Sequence, residues 1–179
     1  MEMYFIALVA PVEIDQFVIK WKYFMKERFG CMVALRSPAH ITLIPPFWMK
    51  EEMENELLQS LNEFSDHQNQ LMIQVKNFSS FKPGVMFVDV IKNEQLTILR
   101  IALEDFLLGQ KKFPIKKEAR AFHPHITIAT RDLYKKAFFE AWDIFKNKKY
   151  EGEWQAKGIS VLRHNKKNWD VIHTSQLSS

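Results

Sequence analysis

A four-residue segment that occurs twice constrains this chain more than any other feature of its sequence. HITL at 40–43 and HITI at 125–128 each place a histidine and a threonine two positions apart, with an aliphatic residue after each. In a β-strand, side chains at i and i+2 project from the same face. The two segments therefore predict two strands, each with a polar His/Thr face and an apolar face that packs into a core.

The elements predicted around the first copy alternate between strand and helix. In chain order they are a strand over Tyr4–Val9, a helix from about Ile14 to Phe29, the His40 strand, a helix from Met53 to Phe64 and a strand over Leu71–Val75. Gly30 is expected to end the first helix. We expect Pro45-Pro46 to end the His40 strand, because proline cannot donate a hydrogen bond to a sheet.

The second half repeats this order. The predicted elements are a strand over Val85–Ile91, a helix from Leu96 to Phe106, the His125 strand, a helix from Tyr134 to Phe145, and two strands over Ile159–Leu162 and Trp169–His173. We therefore predict an α+β fold of two pseudo-symmetric lobes, at approximately residues 1–80 and 81–179. The lobes should interlock in a single domain over residues 1–179, because neither half is large enough to bury much core alone.

The duplicated segments carry the groups that phosphodiester chemistry needs. Two such strands placed symmetrically would direct two imidazoles and two hydroxyls into one cleft. Histidine titrates near neutral pH, so one imidazole can accept a proton from water or a ribose hydroxyl while the other donates a proton to the leaving oxygen. We predict His40 and His125 as this acid–base pair and Thr42 and Thr127 as ligands of the phosphate oxygens. Neither a metal nor another cofactor is needed.

The same residues are compatible with three alternative roles. A non-catalytic module that binds a nucleotide or RNA in the same cleft would share every motif, so it is the alternative function. His123 and His125 could form a metal pair, but no third Cys, Asp or Glu stands at a telling spacing. Inherited packing of a duplicated strand is the third alternative, although packing favours apolar residues over histidine.

Composition limits where the chain works and what it binds. No apolar run approaches the roughly 20 residues that cross a bilayer, so no membrane span is predicted. The single cysteine, Cys31, cannot form an internal disulfide, and Glu2 stands where a signal peptide would have Lys or Arg. These features indicate a cytoplasmic protein. The net charge of +4 and the lysine-rich segments predict a mild attraction for phosphate-bearing ligands, and no obligate protein partner is indicated.

The chain resembles the two-histidine (2H) phosphoesterase superfamily, which contains bacterial 2′-5′ RNA ligase-like proteins and plant and yeast cyclic nucleotide phosphodiesterases. The resemblance rests on the two His-x-Thr-x motifs, on Pro124 before the second motif, and on the segment KPGVMFV at 82–88. It implies antiparallel sheets that face a central groove, with helices on the outside. It also implies the same acid–base and phosphate-binding residues, with Phe87 beside the substrate base. The implied substrate is a nucleotide or an RNA end with a cyclic phosphate or a 2′-5′ link.

One position departs from the pattern of this family. Many relatives follow the second motif with Ala-Arg, whereas here Ala129 is followed by Thr130 and the arginine comes one place later, at Arg131. A shift of one residue in a strand moves a side chain to the opposite face. We therefore expect Arg131 to miss the cleft.

Overall fold

The strands and helices follow the predicted order, with one strand more. A computed structural model describes residues 1–179. The first half contains β1 (Glu2–Val9), α1 (Val12–Phe29), β2 (His40–Met49), α2 (Glu54–Asp66) and β3 (Leu71–Phe81). The second half contains β4 (Val85–Val90), α3 (Glu94–Gly109), β5 (His125–Ala129), α4 (Lys135–Phe145), β6 (Glu151–Ala156), β7 (Gly158–His164) and β8 (Trp169–Gln176). The strand that was not predicted is β6.

Local sequence signals explain where the helices begin and end. Gly30 ends α1 in the left-handed region, at φ 73°, and its N–H donates to the carbonyl of Lys26. Asn93 begins α3, where its side chain accepts a hydrogen bond of 3.0 Å from the N–H of Leu96. None of the helices is both long and apolar enough to cross a membrane.

The eight strands form two antiparallel sheets of four, which confirms the predicted α+β class. The first sheet has the strand order β2-β1-β7-β8, and the second has the order β5-β4-β3-β6. The sheets therefore do not divide the chain near residue 80, because each half contributes strands to the other sheet. Strand β3 of the first half pairs with β4 and β6, while β7 and β8 of the second half extend the sheet of β1 and β2.

The prediction that Pro45-Pro46 ends the His40 strand is wrong. Strand β2 continues to Met49, and its pairing with β1 shifts register between the pairs Tyr4–Phe47 and Ile6–Ile44. The extra residue at this bulge and the position of β2 at the edge of its sheet remove the need for proline N–H groups. Proline is therefore compatible with a continuous strand here.

The two faces of the first sheet have separate apolar clusters. On one face of β1, Tyr4, Ile6 and Leu8 join a cluster of 42 buried residues that draws on both halves of the chain. On the opposite face, Phe5 and Ala7 form a small cluster with Leu162. Because side chains alternate along a strand, this second face is the one that carries the predicted site.

Candidate active site

The two His-Ile-Thr segments lie at equivalent places in the two sheets. Each begins an edge strand, β2 or β5, and these two strands contact each other. In both segments the histidine and threonine are half-buried, whereas Ile41, Leu43, Ile126 and Ile128 are at most 1% exposed. The alternation of polar and apolar faces predicted from the sequence is therefore present in both strands.

Both imidazoles are held in the same way by backbone carbonyls. The Nδ1 of His40 lies 2.7 Å from the carbonyl oxygen of Pro38, and the Nδ1 of His125 lies 2.7 Å from that of His123. A carbonyl only accepts, so Nδ1–H is the donor in each contact. The Nε2 atom of each neutral ring therefore carries the lone pair, which is the atom that can accept or deliver a proton.

Burial shifts the protonation of both histidines towards the neutral form. It is the main reason that the pKa of His40 falls to about 4, and the charges of Lys22 and His125 lower it further against the hydrogen bond to Pro38. Burial is also the main reason that the pKa of His125 falls, and the charge of the His123 side chain lowers it further. The hydrogen bond to the His123 carbonyl and the carboxylate of Asp89 partly oppose that fall. His125 is among the charges that act on His40, and the strands that carry the two imidazoles contact each other.

A cleft of about 370 Å³ opens beside the two motifs. Its lining includes Thr42 from β2 and His125 from β5, so side chains of both motifs face one cavity. His40 and Thr127 are not among the lining residues, but each shares a strand face with one that is. The remaining walls come from Leu43, Pro45, Phe81, Arg100, Glu118, Arg120, Ala121, Phe122 and His123.

The aromatic residue exposed in the cleft is Phe81, at the end of β3. Phe87 is fully buried, with its ring centroid 4.9 Å from that of His125 and 4.6 Å from that of Phe81. Phe81 is 40% exposed, and its ring centroid lies 5.1 Å from those of His123 and His125. A ring with no exposed surface offers no face to a ligand, so Phe87 packs against His125 from within the protein, whereas Phe81 has ring surface exposed in the cleft.

Helix α1 fixes the turn that leads into β2. The Oδ1 of Asp15 accepts a hydrogen bond of 2.6 Å from the N–H of Ala39, next to His40. The buried amine of Lys22 donates to the carbonyl of Ser37 at 2.9 Å, and burial lowers its pKa to about 8. These contacts hold the backbone on which the Nδ1 contact of His40 depends.

A buried ion pair that was not predicted lies in the wall of the cleft. Arg100 on α3 is 6% exposed, and its Nη2 lies 2.9 Å from Oε1 of Glu104, which also accepts from the backbone N–H of Glu118. The sequence does contain a sign of this pair, because Arg100 and Glu104 fall on the apolar face of α3. The buried leucines of that face are Leu96, Leu99, Leu103 and Leu107. Charged residues on such a face are rarely buried unless paired.

Arg131 and His123, on either side of the second motif, both lie at the protein surface. Arg131 is exposed, adopts φ 37° and does not line the cleft. His123 is exposed at the rim, where its Nε2 lies 3.3 Å from Oδ1 of Asp89. No group of three or more His, Cys, Asp or Glu side chains is arranged to hold a metal ion.

Comparison with known proteins assigns the chain to a family. A sequence profile of the 2′-5′ RNA ligase superfamily matches residues 10–168. The chain belongs to this superfamily. That assignment confirms the resemblance indicated by the two motifs, and the profile match extends across both sheets.

Several bacterial proteins are similar in sequence. A protein of Geobacillus sp. (strain WCH70), provisionally named a phosphoesterase, is 31% identical over 132 residues, which are 73% of this chain and 69% of that protein. A protein of Bacillus pumilus (strain SAFR-032) with the same provisional name is 31% identical over 97 residues, 52% of this chain. The match spans about half, 53%, of the Bacillus pumilus protein.

Crystal structures of two other bacterial proteins have the same fold. TT0787 of Thermus thermophilus superimposes with a TM-score of 0.72 at 19% identity, over 99% of this chain and 98% of that chain. E. coli LigT in complex with 3′-AMP superimposes with a TM-score of 0.70 at 16% identity, over 99% of both chains. LigT has also been crystallised with ATP. At these identities the likeness establishes the fold.

Proposed function

We propose that this protein is a phosphoesterase that acts on a nucleotide or RNA cyclic phosphate, or on a 2′-5′ phosphodiester, by acid–base catalysis with His40 and His125. The observation that carries the proposal is the matched geometry of the two imidazoles. Each donates Nδ1–H to the carbonyl two residues earlier, and each leaves Nε2 for proton transfer. The provisional phosphoesterase names of the relatives support the same reaction class.

The reaction on a 2′,3′-cyclic phosphate needs two proton transfers. The Nε2 of one neutral histidine takes a proton from water, and the water oxygen forms a bond to phosphorus. One ring P–O bond breaks, and the protonated Nε2 of the other histidine gives its proton to the leaving ribose oxygen. The hydroxyls of Thr42 and Thr127 donate to the non-bridging oxygens, which carry negative charge throughout. The product is a phosphomonoester, and one water is consumed.

The charges around the two rings favour different roles for them in hydrolysis. His40 lies near the cation of Lys22, which opposes a second positive charge and keeps the ring neutral. His125 lies near the carboxylate of Asp89, which favours the imidazolium, although the charge of His123 opposes it, whereas no carboxylate acts on His40. We therefore assign His40 as the base and His125 as the acid when water is the nucleophile. Microscopic reversibility exchanges these roles if the same site forms the bond.

Turnover of a substrate panel after chelation tests the proposal. The panel consists of 2′,3′-cyclic nucleotides, an oligonucleotide with a terminal cyclic phosphate and ADP-ribose cyclic phosphate. We expect hydrolysis of at least one member to persist after exhaustive treatment with chelators. Activity that disappears and returns with zinc or manganese would contradict the metal-independent mechanism. Nucleotide binding without turnover of any member would favour the non-catalytic module instead.

A further inference from the structure

Arg100 lies in a wall that separates two cavities. One is the cleft of His125 and Thr42, and the other is a neighbouring cavity of about 660 Å³ that begins on the far side of the same wall. Both are lined by Arg100, Arg120, Ala121, Phe122 and His123. A second space that the proposed chemistry does not use therefore lies next to the cleft, with Arg100 in the wall between them.

The Arg100 guanidinium is held in place but is not saturated. Its side chain is 7% exposed, and its one hydrogen bond within the protein joins Nη2 to Glu104. The cation also lies over the ring of Phe122, at 5.7 Å from the centroid. A guanidinium has five N–H donors in a planar fork, so most of its donors remain for a ligand in either cavity.

The second cavity adds further groups that suit an anion. Lys92 is an exposed cation on its wall, just before α3. Asn93 and Thr97 also line it, but their side chains already donate to the carbonyls of Met72 and Asn93, so Lys92 is the group that they leave for an anion. The carboxylate that lines this cavity is that of Asp89, and it contacts His123. The carboxylate of Glu118 lines the cleft instead and forms an ion pair with Arg120. The positive end of the α3 dipole adds to the potential in the second cavity. Phosphate is the anion that a partly desolvated arginine fork binds well.

A purely structural role for the ion pair is the competing hypothesis. Glu104 does fix the loop after α3 by accepting from the N–H of Glu118 at 2.9 Å. That contact requires the carboxylate, however, and it does not require the cation to line two cavities. The buried carboxylate of Glu104 also needs a cation, which Arg100 supplies, so the structural role accounts for the ion pair. It makes no use of the other N–H donors of the guanidinium, which lines both cavities.

We propose that Arg100, with Lys92 and Arg120, forms a second phosphate subsite next to the two-histidine site. The preferred substrate would then be a nucleotide that carries a further phosphate besides the one that reacts, such as the last nucleotide of an RNA chain. This substrate class rests on the proposed function, because it takes the reacting phosphate to lie between His40 and His125. The affinity of the subsite for phosphate can be measured without turnover.

Calorimetric titration of the full chain with adenosine 3′-monophosphate and adenosine 3′,5′-bisphosphate tests the subsite. We expect the bisphosphate to bind roughly 10- to 100-fold more tightly, as charge-assisted contacts to one more phosphate would give. The double variant Arg100→Gln/Glu104→Gln removes both buried charges together and should reduce this preference to less than about threefold. The matched control Lys116→Gln changes an exposed lysine of the same loop outside both cavities and should keep the preference.

Two results would overturn the subsite. One is equal affinity of the unmodified protein for the two ligands, and the other is a preference that survives in the folded double variant. If circular dichroism shows that the double variant is unfolded, Lys92→Gln and Arg120→Gln decide, since both residues are exposed. An unchanged preference in both would overturn the proposal, and a reduced preference in both would support it.

Hydrolysis separates this proposal from the proposed function. If cyclic phosphates are turned over but a 5′-phosphate gives no advantage in binding, the subsite alone is wrong. If the bisphosphate is preferred through Arg100 but no cyclic phosphate is turned over, the proposed function alone is wrong.

Discussion

At the scale of single residues, the site depends on two imidazoles whose tautomers are fixed and whose charged forms are disfavoured. The carbonyls of Pro38 and His123 bind Nδ1–H, so proton exchange is restricted to Nε2. Burial lowers the pKa of both rings below the ordinary value of 6.5. Binding of a phosphate anion favours the imidazolium and should raise both pKa values. The free protein and the substrate complex should therefore have different pH profiles.

The pH dependence of kcat/KM should be a bell that lies below pH 6.5. Its acid limb reports His40, which must be neutral and has a pKa of about 4, and its alkaline limb reports His125, which must be protonated. Asp89→Asn removes a carboxylate that raises the pKa of His125, so the alkaline limb should move to lower pH while the acid limb stays in place. Asp143→Asn, which changes an exposed carboxylate on α4, is the control. Movement of the acid limb alone would contradict the assigned roles.

The exposed ring of Phe81 leads to a second prediction at this scale. Phe81→Ala should raise KM for a cyclic nucleotide about 5- to 150-fold, because stacking of a base on an aromatic ring contributes about 1–3 kcal/mol. The effect on kcat should be smaller than the effect on KM, because Phe87 still packs against His125 when the Phe81 ring is removed. Trp48→Ala removes another exposed aromatic ring, 55% exposed on β2 outside the cleft, and should leave KM unchanged. Equal effects of the two substitutions would show that Phe81 does not stack on the base.

At the scale of elements, the precision of the site comes from the contact between α1 and the start of β2. The carboxylate of Asp15 binds the N–H of Ala39, and the amine of Lys22 binds the carbonyl of Ser37. Together they set the turn that carries His40. No sequence pattern indicates these contacts, because they join residues of a helix to the backbone of a loop that follows it by many positions.

Asp15→Ala should weaken both the fold and the catalysis. The substitution leaves the N–H of the buried Ala39 without its partner, which should lower the free energy of unfolding by about 1–3 kcal/mol in urea denaturation. Turnover should fall with little change in KM, because the position of His40 shifts while the cleft remains. Glu13→Ala, an exposed acid in the same turn of α1, should change neither quantity. A stable Asp15→Ala protein with full kcat would show that α1 does not position His40.

Some strands could be predicted from the sequence and others could not. The His strands were predictable, because alternation of polar and apolar residues specifies a strand face whatever its partners are. Strand β6, with the sequence EGEWQA, was missed because an edge strand with few apolar residues has little periodic signal. The prolines of β2 were misinterpreted because their acceptability depends on the edge position and the bulge, which are properties of the sheet.

At the scale of the whole molecule, the two similar halves of the chain form two four-stranded sheets, and each sheet contains strands from both halves. The order of elements was predictable, since it follows from local periodicity. The placement of β3 in the second sheet, and of β7 and β8 in the first, was not predictable from the sequence. Pairing between strands that are distant along the chain is decided by the core that the two halves share. The placement of β3 also explains why Phe81, on a strand of the first half, reaches the histidine of the second. Phe87 and Phe81 could not be told apart from sequence, because their difference in exposure arises only after that pairing.

The measurement that tests the central claim most directly is hydrolysis of a 2′,3′-cyclic phosphate by His40→Ala, His125→Ala and the double variant. Each single substitution should lower turnover by roughly 10²- to 10⁴-fold, the usual contribution of a positioned acid or base. The double variant should lose less than the product of the two single losses, because the effects of catalytic groups that act as a unit are not additive. His67→Ala, which changes an exposed histidine after α2, is the control, and circular dichroism checks folding. If either single variant is folded and retains near-full activity, the two-histidine mechanism does not operate in this protein.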